Sequence, residues 1–307
     1  MRSVDGFGSW TVIQQSQDPS AVKAPPPTDL WNDGSGLSVA IAERYGASTY
    51  EVRFWDQATV SVSFTKREIL LFSPNSKPLP PETANHFLQD QVFPRILAHQ
   101  GDLVLHAGAV ESDGNALVFL GNSGRGKSTL VASFQNSGAV LLGDDAIIVS
   151  QVDNVFHGKA VYPSLRLLPD SLAELYSEPP DSTAIANYTS KQSVSVPTPS
   201  NTEQSPVPIG AFFFLGPEPA GGSITFRRMS VAECCMGLIT NSFALDPTDK
   251  TRAHQKMMDA SSLASKVPAF ELFYPRDFSR LSEVHHALTV QMQTLSKAAP
   301  GFVAPTG

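Results

Sequence analysis

Ala116-Leu117-Val118-Phe119-Leu120 runs directly into Gly121-Asn122-Ser123-Gly124-Arg125-Gly126-Lys127-Ser128-Thr129. The short apolar run ahead of the glycines predicts a buried strand. Gly121 to Ser128 then matches G-x-x-x-x-G-K-[ST] at every fixed position. Glycines at this spacing let the backbone curl, so that several N–H groups face one anion. A helix is predicted from Ser128 to Gln135, closing near Gly138, and its positive end faces the same point. Lys127 is expected to reach the β- and γ-phosphates of a nucleotide, and Ser128 to ligate Mg²⁺. Gly121, Asn122, Ser123, Gly124, Arg125, Gly126, Lys127, Ser128 and Thr129 are thus the expected nucleotide-binding residues, with ATP and Mg²⁺ as cofactors.

Two flanking segments narrow the chemistry. Upstream, Asp102 to Glu111 predicts a strand that turns through Ser112-Asp113-Gly114-Asn115, which is hairpin turn chemistry. The strand holds His106 within Leu103-Val104-Leu105-His106-Ala107-Gly108-Ala109-Val110, antiparallel to the strand feeding the loop. Downstream, a strand from Ala139 to Leu142 reaches Gly143-Asp144-Asp145, and another follows from Ala146 to Val149. The metal-binding strand of such proteins ordinarily ends in one acid, and here it ends in two. Paired carboxylates suit a divided task, in which one supports the metal and the other accepts a proton from an attacking hydroxyl. No Leu-Ser-Gly-Gly segment marks an ABC-type ATPase, and no Asn-Lys-x-Asp segment reads guanine.

Leu105-His106-Ala107-Gly108-Ala109-Val110, the Gly-Lys-Ser-Thr loop and Leu142-Gly143-Asp144-Asp145 together resemble the core of the HPr kinase/phosphorylase family. His106 precedes Lys127 by 21 residues and Asp145 follows it by 18. The Leu-His-Ala-x-Ala-Val and Leu-Leu-x-Asp-Asp spellings are similar to HPr-kinase-like proteins of peptide natural-product clusters, lasso-peptide tailoring kinases among them. The resemblance covers residues 80–176, and 207–296 in pattern. It implies an α/β fold, with an HPr-kinase-like and phosphoenolpyruvate-carboxykinase-like P-loop core. It implies Lys127 and Ser128 on phosphate and Mg²⁺, Asp145 as general base, Asp144 on the metal or its water, and His106 against the transferred phosphate. The family's further acidic ligand does not align, and Asp170 is the candidate left. HPr kinase's second signature is absent from that region.

Farther out, residues 1–36 read as a polar leader that includes Ala24-Pro25-Pro26-Pro27. Residues 37–79 alternate as a small antiparallel β-rich region. The kinase-like domain is expected over 80–300, opening with a helix at Pro80-Pro81-Glu82 that Pro94 should kink or shorten. Residues 177–208, rich in Ser, Thr, Pro and Asn, read as a functional loop or a disordered insertion. Ile209–Leu215 and Ser223–Met229 read as a strand pair, and helices are predicted over 231–243, 247–266 and 278–296. Arg166, Lys191, Arg252 and Arg276 are further cations for phosphoryl transfer. Lys191, in the polar stretch, suits a segment closing over substrate.

The 307 residues carry a formal charge of −7 and no basic run, which argues against nucleic-acid binding. No apolar run approaches a membrane span, and residues 1–20 lack a signal-peptide core. Cys234 and Cys235 are adjacent, so they read as small helix residues, and a cytoplasmic setting is expected. The expected activity is an ATP-dependent kinase acting on a Ser or Thr hydroxyl of a peptide or protein. A small-molecule hydroxyl is a second substrate class, and a regulatory ATP-binding module without transfer is the rival reading. Homo-oligomer formation stays open.

Overall fold

The structure is a computed structural model that describes residues 10–15, 30–32, 38–45, 48–54, 58–73, 77–162, 164–178, 180–185, 189–195 and 205–298. The chain divides into two compact units, Met1–Val92 and Phe93–Gly307.

The first unit is one sheet with a short helix. Its strands are β1 (Thr11–Gln15), β2 (Leu30–Asn32), β3 (Ser38–Tyr45), β4 (Thr49–Phe54), β5 (Ala58–Ser63) and β6 (Glu68–Phe72). They lie in the order β1-β6-β5-β4-β3-β2. β2 to β6 form an antiparallel meander. The alternation that predicted it is clear in β5, where Ala58, Val60 and Val62 are buried and the residues between them are half-buried. Two strands fall within residues 1–36, which read as a polar leader in the sequence. Thr11–Gln15 adds to β6 in parallel, with Val12 opposite Ile69, and Leu30–Asn32 pairs with β3. The Pro-rich segment 24–27 lies outside the described residues. Helix α1 (Pro81–His86) starts with proline at its first position, where the missing N–H costs nothing. A π-helical turn, Phe87–Val92, follows, and Phe87 packs 5.1 Å from Phe54. This helical segment belongs with the sheet, although residue 80 was expected to open the kinase-like domain. The irregularity that Pro94 predicted falls in the π turn just ahead of it.

The second unit begins with α2 (Phe93–Gln100), β7 (Leu103–Leu105), β8 (Ala107–Ser112), β9 (Asn115–Leu120) and α3 (Lys127–Asn136). Then come β10 (Val140–Gly143), β11 (Ile147–Val152), β12 (Val155–Ala160), β13 (Leu165–Leu167), α4 (Pro169–Leu175), β14 (Ser182–Ala184) and β15 (Gln192–Val194). The unit closes with β16 (Val207–Leu215), β17 (Thr225–Arg228), α5 (Val231–Thr240), α6 (Lys250–Lys266), β18 (Ala269–Phe273) and α7 (Leu281–Ala298). The main sheet runs β10-β8-β9-β16-β12-β11-β7, and β18 branches from β16 to carry β17. The fold is therefore α/β around a mixed sheet.

Every residue of β9 is buried, as expected of a strand covered on both faces. Leu117 and Phe119 face the layer holding Leu130, Phe134, Phe213 and Leu288. Val118 and Leu120 face the opposite layer, with Phe212, Leu238 and Leu263. Helix α3 lies on the first of these layers, and α5 and α6 lie on the second. Gly108 lets α3 approach β8: a Cβ there would sit 2.7 Å from Val131 Cγ2 and 3.2 Å from Asp144 Oδ1. Gly108→Ala should therefore cost about 1–3 kcal/mol by overpacking, read as a lowered denaturation midpoint.

Two sequence expectations are corrected here. The strands near 209–215 and 223–229 do not pair with each other. β18 lies between β16 and β17, parallel to the first and antiparallel to the second. Returning to pair in parallel requires a crossover, and α5 and α6 supply it. The stretch 177–208 is not wholly a loop. β14 and β15 join β13 in a three-stranded antiparallel sheet. Cys234 is buried on α5, and burial together with Cys235 pushes its thiol up to about 12. Among the described residues, no helix is long and apolar enough to cross a membrane.

Candidate active site

Three parallel strands converge on the loop. β9, β16 and β18 run side by side in the same direction, so their C-terminal ends lie together. Such ends are where open α/β sheets bind ligands. Gly121, Gly216 and the Tyr274–Arg276 segment follow these three ends.

The loop between β9 and α3 needs its glycines. Gly121, Gly124 and Gly126 have φ of 143°, 76° and 87°. These values lie in the region that side chains with a Cβ rarely adopt. A Cβ on Gly126 would also meet the Tyr274 hydroxyl at 2.8 Å. The Tyr274 hydroxyl donates to Arg125 O at 3.3 Å, and burial raises its pKa. Arg276 donates to Gly216 O at 2.9 Å and to Gly124 O at 3.5 Å. Its guanidinium stacks 5.4 Å from the Tyr274 ring, and its backbone N–H bonds Glu218 at 2.9 Å. Arg276 was anticipated as a cation, and it buttresses the loop's carbonyl side. Tyr274 was missed. The sequence places it at the end of a short strand, Phe270 to Tyr274, whose neighbours it does not reveal; the observed strand ends at Phe273. Gly126→Ala combines an unfavourable φ with a clash, and should cost about 1–3 kcal/mol. A nucleotide titration should show the loss as weakened affinity.

Lys127 starts α3 and is buried, and its Nζ donates to Gly121 O at 2.6 Å. Burial lowers its pKa, against the pull of Asp145 and Asp144, while Lys191 repels it. The loop's own turn closes by Arg125 N–H to Asn122 O at 3.2 Å. Thr129 turns its hydroxyl to Ser171 Oγ, 3.0 Å away, tying α3 to α4.

Asp144 and Asp145 occupy the turn between β10 and β11. Asp145 has φ 79°, an uncommon conformation for a residue other than glycine. Its carboxylate pairs with the buried Arg166, Oδ2 to Nη1 at 3.0 Å. Burial alone would raise the Asp145 pKa, but Lys191, Arg166, His106 and Lys127 outweigh it and hold the carboxyl below the usual range. Asp144 differs. Burial and the adjacent Asp145 raise its pKa, opposed by Lys191, the Ser128 hydroxyl and Arg166. Its backbone N–H bonds Ser164 O at 3.1 Å, and its Oδ2 accepts from Arg166 N–H at 3.4 Å. Its Oδ1 is buried without a hydrogen-bond partner.

That buried oxygen, with the Ser128 hydroxyl beside the same carboxylate, fits a divalent cation. Among the described residues there is no cluster of three or more His, Cys, Asp and Glu side chains arranged for a metal. Mg²⁺ does not require one, since it commonly takes one or two carboxylates and completes its shell with phosphates and water. Asp170 is spent elsewhere: exposed in the first turn of α4, it accepts from Ser171 N–H at 2.7 Å.

His106 falls between β7 and β8 rather than inside one strand. At this break the chain passes from pairing with β11 to pairing with β9. The His106 backbone N–H bonds Asn241 O at 2.6 Å, and its ring packs edge-on to Phe243 at 5.9 Å. Its charge acts on Asp145. His106, Lys127, Asp144 and Asp145, expected together from their spacing, thus lie in one electrostatic cluster, which Arg166 and Lys191 join. Arg252 instead sits exposed in the first turn of α6, its N–H on Asp249 at 3.1 Å.

No family model matches the chain, and no curated relative matches it. Among solved structures, the Hpr(Ser) kinase/phosphatase from Coxiella burnetii overlaps 64% of this chain and 96% of its own at 15% identity, with a TM-score of 0.33.

Proposed function

We propose that this protein is an Mg-ATP-dependent phosphotransferase acting on a hydroxyl, most simply a Ser or Thr of a peptide or protein. The observation that carries the reading is the meeting of two unlike carboxylates with a glycine-rich loop and its lysine. A site that only bound nucleotide would need the loop and a metal ligand. It would not need a second, part-buried acid paired with a buried arginine.

In this reading the loop amides and Lys127 hold the phosphates. Ser128 and Asp144 hold Mg²⁺, which when bound neutralises phosphate charge. Asp145 orients the acceptor hydroxyl and takes its proton. A carboxylate of low basicity suits that role, because a loose phosphoryl-transfer transition state releases the proton late and depends mainly on positioning. Arg166 fixes the angle of the Asp145 carboxylate, and His106 lies on the side of the transferred phosphate. HPr itself as acceptor, and a peptide natural product as acceptor, are finer versions of this proposal. Incubation with Mg-ATP and parallel sets of seryl peptides, threonyl peptides and small alcohols, followed by mass spectrometry, tests the class. Phosphate gain on a peptide hydroxyl supports the reading. Gain only on a small alcohol moves it to that substrate class, and no gain anywhere refutes transfer.

A further inference from the structure

The small sheet β14-β15-β13 has two chemically distinct faces. Leu165, Leu167 and Val194 lie on one face and enter the core beside α3. Arg166 lies on the other face, with Ser193 as its cross-strand partner. Lys191 immediately precedes β15, and continuing the strand's alternation by one residue brings it to the Arg166 face. That face looks toward the Asp pair, because Arg166 bonds Asp145 from it at 3.0 Å. The position of Lys191 agrees with this, since its charge acts on Asp144, Asp145 and Lys127 alike. Arg166 is already committed to Asp145, and Lys127 enters from the loop. Three cationic side chains thus act on two carboxylates, an arrangement suited to a polyphosphate.

We propose that Lys191 is a catalytic residue that the small sheet delivers to the γ-phosphoryl group, opposite Lys127. The proposal rests on the phosphotransferase reading and deepens it by assigning the charge that the loop alone does not meet. In transfer, the bond from the γ-phosphorus to the β,γ-bridging oxygen breaks and a bond to the acceptor oxygen forms. The acceptor proton passes to Asp145, and ADP leaves with the electron pair of the broken bond. Lys191 moves no proton. It binds the equatorial oxygens of the migrating group, where charge-assisted hydrogen bonds are strongest.

The test compares Mg-ATP and Mg-ADP binding by calorimetry on the full chain. Lys191→Met should weaken ATP by about 10- to 100-fold, as expected for a lost hydrogen bond to a charged group. ADP, which lacks the γ-phosphate, should change by less than about threefold, since it keeps every loop contact. Lys191→Arg should restore part of the ATP preference. If Lys191→Met keeps the parental ATP-to-ADP ratio, or weakens both nucleotides equally, the proposal is overturned while the loop assignment stands. If the parent binds neither nucleotide, or Lys127→Ala leaves both affinities unchanged, the underlying reading falls and takes the Lys191 proposal with it.

Discussion

Lys127→Ala should lower the affinity for ATP and ADP together, by about 100-fold, because the lost ammonium serves phosphates that both nucleotides carry. The site makes the effect large for a physical reason. Lys127 is buried, and its Nζ is held 2.6 Å from Gly121 O, so the cation is preorganised at the loop's mouth and little solvent screens it. Its lowered pKa has burial as the leading cause, and a bound phosphate would reverse that by supplying the missing counter-charge. The variant should still fold, because Lys127 bonds only loop carbonyls and leaves α3's apolar face untouched. Calorimetric titration beside a thermal melt separates the two. Unchanged affinity in a folded variant would remove the loop from the account.

Asp145→Asn should behave in the opposite way: nucleotide binding stays within a few-fold and transfer falls by about 100- to 10,000-fold, the range associated with a lost general base. The substitution keeps the shape of the side chain but removes the charge that Arg166 pairs with. Arg166 is only 3% exposed, so its guanidinium loses the Asp145 carboxylate as an ionic partner inside the protein. Removing one member of a fully buried pair costs about 3–5 kcal/mol; here Asp145 is part-buried and the asparagine carbonyl oxygen can still accept from Nη1, so the loss should be smaller. A lower melting temperature is therefore expected alongside the lost transfer. Assays belong at a temperature where the variant's folded population is confirmed. Asp144→Asn should separate from it in kind, weakening the Mg²⁺ dependence of nucleotide binding rather than the proton transfer alone.

How much of this was legible in the sequence depended on whether a signal was local. The loop was fully legible, because three left-handed glycines and a helix start leave a continuous signature. β9 was equally clear as an apolar run bounded by turn residues. The meeting of His106, Lys127 and the Asp pair was legible only through spacing, and its geometry was not. Nothing in Leu105-His106-Ala107 says that the chain breaks there and passes between neighbouring strands, since that follows from where β11 and β9 lie. The small sheet was hidden for a related reason. β14 and β15 are three residues each and carry Ser, Thr and Gln, so neither shows the apolar alternation that marks a strand. Their order comes from pairing with β13, a long-range contact. Tyr274 and Arg276 were obscured by the parallel crossover, which brings a strand from the end of the chain beside one from its middle. Arg166 was one cation among several until the structure placed it on Asp145.

The −7 of the whole chain is an average. At the site, Lys127, Arg166 and Lys191 act on the same two carboxylates. The local field there favours a polyanion although the protein as a whole is acidic.

The measurement that bears most directly on the central claim follows the γ-phosphate itself. Parent and Asp145→Asn proteins would be loaded with Mg²⁺ and γ-labelled ATP, and mixed with seryl and threonyl peptide acceptors. The label and the nucleotide would be followed together. The account expects the parent to move label onto an acceptor hydroxyl with matching ADP formation, and Asp145→Asn to bind ATP and hold it uncleaved. Label that never leaves ATP in the parent, while ATP binding alters the protein's affinity for another macromolecule, would contradict transfer and establish a nucleotide-sensing module in its place.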